Sequence, residues 1–104
     1  MKRDMVYPTS YIIMIYNYLK WRKDRYGNRS VCLTYEGIFN WASRSEHYKT
    51  IARTTIERVM RRLAEDGFLK RVRERPRALF CITRKFVDAL RQFIPIDPEF
   101  EVME

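Results

Sequence analysis

The sequence predicts an α+β fold, mostly helical, with a small antiparallel sheet and a C-terminal helix. Three observations carry that prediction. The chain has 104 residues, 46% of them hydrophobic, which is the size of one domain and enough to close a single modest core. Ala52, Ile56, Val59, Met60 and Leu63 recur on one face of a helical wheel, the clearest periodicity in the chain. Two strand-like runs, Phe68 to Val72 and Ala78 to Ile82, are joined by Arg73-Glu74-Arg75-Pro76-Arg77. Pro76 suits only a turn or an edge there, so the two runs form a hairpin.

The first helix follows Pro8, capped by Thr9 or Ser10, and runs to about Tyr26, where Gly27-Asn28 accept a left-handed backbone. It carries two apolar stripes: Ile12, Ile15, Tyr16 and Leu19 form one, and Tyr11, Met14, Tyr18 and Trp21 a neighbouring one. A surface helix needs only one. The second stripe therefore belongs either to the same core or to a contact with another subunit, since aromatic and Met enrichment marks both. Ser30 to Leu33 is a brief strand, and Thr34 caps a second helix from Tyr35 to about Ser43, with Glu36 in its first turn. Arg44 to Thr50 is a polar link. The third helix starts between Thr50 and Thr54, where Thr54 and Glu57 fit a capping box, and ends at Asp66-Gly67. After the hairpin, Thr83 caps a last helix with Phe86, Val87, Leu90, Phe93 and Ile94 inward, ended by Pro95.

Charge separates the surfaces. Lys and Arg number 21 against 13 Asp and Glu, a net charge of +8, and such a surface attracts polyanions. The whole excess lies between Lys49 and Arg91, which hold 13 basic and 5 acidic residues. On the third helix Thr54, Arg58 and Arg61 point away from the apolar face, flanked by Glu57 and Arg62. Lys70, Arg71, Arg73, Arg75 and Arg77 crowd the hairpin against Glu74 alone. Asp97 to Glu104 is an acidic tail, either a frayed terminus or a competitor for the basic face.

Inventory excludes several functions. Gly27, Gly37 and Gly67 are too scattered to build a phosphate-cradling loop. Cys32, Cys81 and His47 are too few, and wrongly spaced, for a zinc site. No carboxylate cluster or His-containing pair in the basic region suggests a nuclease. The longest apolar run, Tyr11 to Tyr16, falls far short of the roughly 20 residues of a membrane span. Lys2 and Arg3 ahead of Tyr11 to Leu19 faintly resemble a secretory signal. Asp4, Asn17 and the lack of a small-residue cleavage site point instead to a structural helix.

The segment Ile51-Ala52-Arg53-Thr54-Thr55-Ile56-Glu57-Arg58-Val59-Met60-Arg61-Arg62-Leu63-Ala64-Glu65-Asp66-Gly67-Phe68-Leu69 resembles the recognition-helix region of winged helix-turn-helix transcription regulators. The resemblance continues into the basic hairpin and Ile82-Thr83-Arg84-Lys85, covers about Tyr11 to Ile94, and singles out no one family. The link Arg44 to Thr50 is longer than in the simplest members. The resemblance implies a helix at about 52–66 in the major groove, with Arg53, Thr54, Thr55, Glu57, Arg58, Arg61 and Arg62 facing DNA. Lys70, Arg71, Arg73, Arg75 and Arg77 would lie on backbone or minor groove. Arg reads a guanine edge bidentately and Thr touches a thymine methyl; Glu57 accepts from cytosine or orients Arg61. In the winged-helix topology the short strand pairs with the second hairpin strand, so Cys32 and Cys81 become neighbours. The expectation is two buried reduced thiols, a disulfide being the alternative.

The resulting expectation is a non-enzymatic, sequence-specific double-stranded DNA-binding protein, a small transcription regulator of the cytoplasm or nucleoid. Residues 1–96 would be the binding domain and 97–104 the tail, with no cofactor, metal, membrane or small-molecule ligand. Homodimerisation is expected through Tyr11, Met14, Tyr18 and Trp21, placing two helices in half-sites about one turn apart. The alternative is a protein-interaction module of the same fold, docking in a replication or transcription assembly through the first helix and Phe100 and Val102.

Overall fold

The computed structural model describes residues 9–95. Helix α1 (Thr9–Tyr26) is followed by strand β1 (Cys32–Leu33), α2 (Tyr35–Ala42), α3 (Arg53–Glu65), the strands β2 (Leu69–Arg73) and β3 (Leu79–Ile82), and α4 (Arg84–Arg91). The fold is α+β. The acidic stretch 97–104, Phe100 and Val102, and the residues before Thr9 lie outside the described part.

Local chemistry sets most of these boundaries. The Thr34 hydroxyl accepts from the Gly37 N–H at 3.0 Å and starts α2; Thr83 does the same for α4 through the Phe86 N–H at 3.3 Å. At the end of α3, the Phe68 N–H reaches Leu63 O at 2.9 Å and the Gly67 N–H reaches Ala64 O at 3.2 Å. This double closure needs a left-handed residue between the two turns, and Gly67 supplies it at φ +86°. Thr83 then donates to Gly67 O at 2.7 Å and Lys85 Nζ to Asp66 O at 2.7 Å, which stitches the start of α4 onto the end of α3. The start of α3 differs from the expected capping box. Ala52 occupies the cap with no side-chain bond, because the link turns through Ser45 O–Lys49 N and Tyr48 O–Ile51 N contacts that deliver the chain in helical geometry at Arg53.

The three strands form one antiparallel sheet in the order β1-β3-β2. Register alternation puts Phe80, Ile82 and Leu69 on the core face. Lys70, Cys81 and Cys32 are opposed across the sheet and share the other face. Cys32 and Cys81 are joined as a disulfide, which corrects the expectation of reduced thiols: direct cross-strand opposition on the face away from the core leaves each sulfur facing the other. Between Arg71↔Phe80 and Arg73↔Leu79 the register slips by one residue. Val72 is left over and exposed, and such a bulge bends the hairpin.

The core gathers Ile15, Leu19, Leu33, Ile38, Ile56, Met60, Leu63, Phe80, Phe86 and Leu90, all essentially inaccessible. The first stripe of α1 and all of the second but Trp21 are taken up by this one chain. Met14 and Tyr18 are buried, which removes them as a face for a second subunit. The link and α2 cover them: Met14 lies beside Tyr48 and Ile51, Asn17 Nδ2 donates to Tyr48 Oη at 3.3 Å, and the Tyr18 ring packs on Trp41 of α2 at 5.6 Å. Tyr11 is partly buried against the same core, and only Trp21, 37% exposed, remains on the surface. Phe93, expected inward, is exposed, because α4 ends at Arg91 and the chain leaves helical register before it.

Gly37 shows how tightly α1 and α2 meet. A Cβ there would lie 2.7 Å from Tyr18 Oη and 3.2 Å from Thr34 Oγ1. Gly37→Ala is therefore expected to lose about 1–3 kcal/mol from overpacking, despite Ala's better helix propensity. Tyr18→Phe in the same chain should restore most of the loss in a urea melt. Equal stability of wild type and the single variant would contradict the contact.

Candidate nucleic-acid interface

One cleft joins α3 to the hairpin sheet and another joins the hairpin to the start of α2 and to Arg53, and ion pairs and hydrogen bonds divide the basic residues of these elements into two sets. In the first set, Arg53 Nε donates to Glu57 at 3.1 Å and its guanidinium lies 5.9 Å from the Phe39 ring centroid. Arg62 Nε donates to Asp66 at 3.3 Å. Arg71 sits over the Phe80 ring at 5.1 Å, donates to Tyr35 Oη at 3.4 Å and lies 3.6 Å from the Glu74 carboxylate. Arg73 Nε donates to Arg77 O across the hairpin at 3.3 Å, and Arg77 Nη1 lies 3.0 Å from the Glu36 carboxylate. These side chains are partly committed to holding the surface together.

The second set comprises Arg58, Arg61, Lys70 and Arg75, which are exposed and make no ion pair or hydrogen bond through their side chains among the described residues. Arg58 and Arg61 stand on α3 one turn apart, with Thr54 exposed ahead of them and Thr55 partly buried. Arg61 lines a cleft of about 250 Å³ between α3 and the sheet, together with Ala64, Glu65, Arg71 and Phe80. Arg75 is at the tip of the hairpin.

The expectation for Glu57 is that it accepts from cytosine or orients Arg61, an acid N-terminal to its base being the better arrangement on a helix. It pairs instead with Arg53, which the Phe39 ring already holds in place. Arg61 is thereby released. Sequence reasoning also passed over Tyr35 and Glu36, which reach the hairpin from α2. Glu36 was legible only as a favourable first-turn acid, because its partner is 41 positions away. Nor did the sequence show that Tyr18, Trp21, Tyr26, Trp41 and Tyr48 would form a chain of ring contacts that meets α2 at Trp41, near its C-terminal end.

A face with exposed guanidiniums on a helix and on an adjoining hairpin can engage phosphates by charge and base edges by bidentate hydrogen bonds. No group of three His, Cys, Asp or Glu among the described residues could hold a metal ion, and no described helix is long and apolar enough to cross a membrane. Comparison with family models, with curated proteins and with solved structures finds no significant match.

Proposed function

We propose that this chain is a winged helix-turn-helix protein that binds double-stranded DNA as a small transcription regulator, with α3 in the major groove and the β2–β3 hairpin on the neighbouring backbone or minor groove. The observation that carries this is the pair Arg58 and Arg61, unpaired and exposed on one face of a 13-residue helix, beside a hairpin whose tip Arg75 is equally unpaired. An α-helix about 10–12 Å across fits the B-DNA major groove, where each base pair presents a distinct donor and acceptor pattern. Arg58, Arg61 and Thr54 are the side chains free to read it. Arg75 and Lys70 supply sequence-independent attraction, and Arg53, Arg62, Arg71 and Arg73 add to it from their tethered positions.

The protein would act by occupancy, in the cytoplasm or nucleoid where duplex DNA is accessible. Two copies on a pseudo-palindromic site would associate through Trp21 and Tyr26, the exposed aromatics of α1, whose rings meet edge to face at 5.5 Å. That same aromatic patch favours the second reading, a protein-interaction module.

Binding of a random-sequence duplex, measured across salt concentrations, tests the proposal. Wild type should bind at low salt with a steep log–log slope. Arg75→Ala should weaken binding to every duplex and flatten that slope by about 0.9, one phosphate contact. Folded protein that ignores duplex at low salt would favour the interaction module.

A further inference from the structure

Glu36 has an unusual place on the cationic face. Glu57 and Glu74 pair with arginines three or four positions away in their own segments, but Glu36 joins the first turn of α2 to the hairpin tip through Arg77. At this junction lies an open cavity of about 260 Å³ lined by Thr34, Tyr35, Glu36, Arg53, Arg77 and Ala78. Two guanidiniums and the positive end of α2 converge there, an arrangement that attracts phosphate. Glu36 is the carboxylate among these lining residues, and Arg53 is already paired with Glu57.

We propose that Glu36 is a brake on phosphate binding: it occupies Arg77 and presents negative charge where the DNA backbone would lie, so it holds down the affinity for DNA of any sequence. The proposal rests on the DNA-binding reading above and adds a regulating residue to that surface. The physical basis is that sequence-independent affinity is almost wholly phosphate neutralisation by cations. A carboxylate that withholds one cation lowers this component and leaves the base contacts of Arg58 and Arg61 untouched. Discrimination through a repulsive element is a common way to suppress wrong partners. Both side chains are exposed, 66% for Arg77 and 44% for Glu36, so the carboxylate stands at the surface that a phosphate would reach and competes with it for Arg77.

The test uses the full chain and a random-sequence duplex, for which no operator need be known. Glu36→Gln should steepen the salt slope by about 0.9 and bind about eightfold more tightly at 0.1 M salt, converging with wild type near 1 M. Adding Arg77→Gln should return the slope to the wild-type value. Glu46→Gln adds the same charge in the α2–α3 link, where Glu46 pairs with Lys49, and should change the slope little. A Glu36 role confined to stabilising α2 would lower the melting temperature and leave the slope alone. If wild type binds and Glu36→Gln matches it, or matches Glu46→Gln, the brake is wrong and DNA binding stands. If wild type itself does not bind at low salt, the DNA-binding reading falls and the brake with it.

Discussion

Replacing Arg58 and Arg61 together by alanine is expected to abolish sequence-selective DNA binding while leaving the fold intact. Both guanidiniums are exposed and make no ion pair or hydrogen bond among the described residues, so their removal breaks none, and surface changes of this kind usually move stability by no more than about 0.5 kcal/mol. Each Arg withdrawn from a base edge costs about 1–3 kcal/mol, so the pair costs about 2–6 kcal/mol if the two act independently. Even the lower figure is roughly thirtyfold in Kd. The measurement is a titration of a duplex enriched from a random pool, beside a thermal melt of the same variant. Wild-type affinity in the folded double variant would show that α3 does not read bases.

Reduction of the Cys32–Cys81 disulfide should produce the largest change in stability. The bond closes a loop with a sequence separation of 49, and the chain-entropy account of cross-links assigns such a loop about 4 kcal/mol. For a domain of this size that corresponds to a fall in Tm of roughly 15–30 °C. The effect has a structural target, because β1 contributes only two residues to the sheet and depends on β3 for its place. Thermal melts with and without dithiothreitol, or of Cys32→Ser, check it. Identical melts would mean that the covalent link constrains nothing, and thiol titration of the unfolded chain reports whether the bond is present.

Much of the fold was legible because its boundaries are local. Thr34, Thr83, Gly27 and Gly67 mark helix ends through bonds or backbone angles that depend on near neighbours, and all four elements end or begin where those residues stand. The apolar face of α3, with Ile56, Met60 and Leu63 buried, follows from periodicity alone. What was not legible depends on distant partners. Periodicity shows that α1 has two apolar stripes but not what covers the second; Tyr48 and Trp41, far along the chain, turned out to cover Met14 and Tyr18. The start of α3 at Arg53 falls in the expected window between Thr50 and Thr54, but Ala52 caps it without a side-chain bond in place of the Thr54–Glu57 capping box, because the turn through Ser45 and Tyr48 sets the entry.

The candidate site divides the same way. The sequence named the basic residues of α3 and the hairpin, but charge alone cannot separate a free guanidinium from a tethered one. Arg53, Arg71 and Arg77 are held by Phe39, by Tyr35 with Phe80, and by Glu36. All of these partners come from other segments. The expectation of reduced thiols at Cys32 and Cys81 fails for the same reason, because their opposition depends on the register of β1 against β3.

The central claim is that α3 and the β2–β3 hairpin together form a duplex DNA-binding surface. Amide chemical-shift changes in isotope-labelled protein, followed as duplex DNA is added at low salt, test it most directly, because they report binding and its location at once. The account predicts shifts concentrated in residues 53–65 and 69–82 and around Tyr35 and Glu36, fading as salt is raised. An absence of shifts, or shifts confined to the aromatic patch around Trp21 and Trp41, would contradict it.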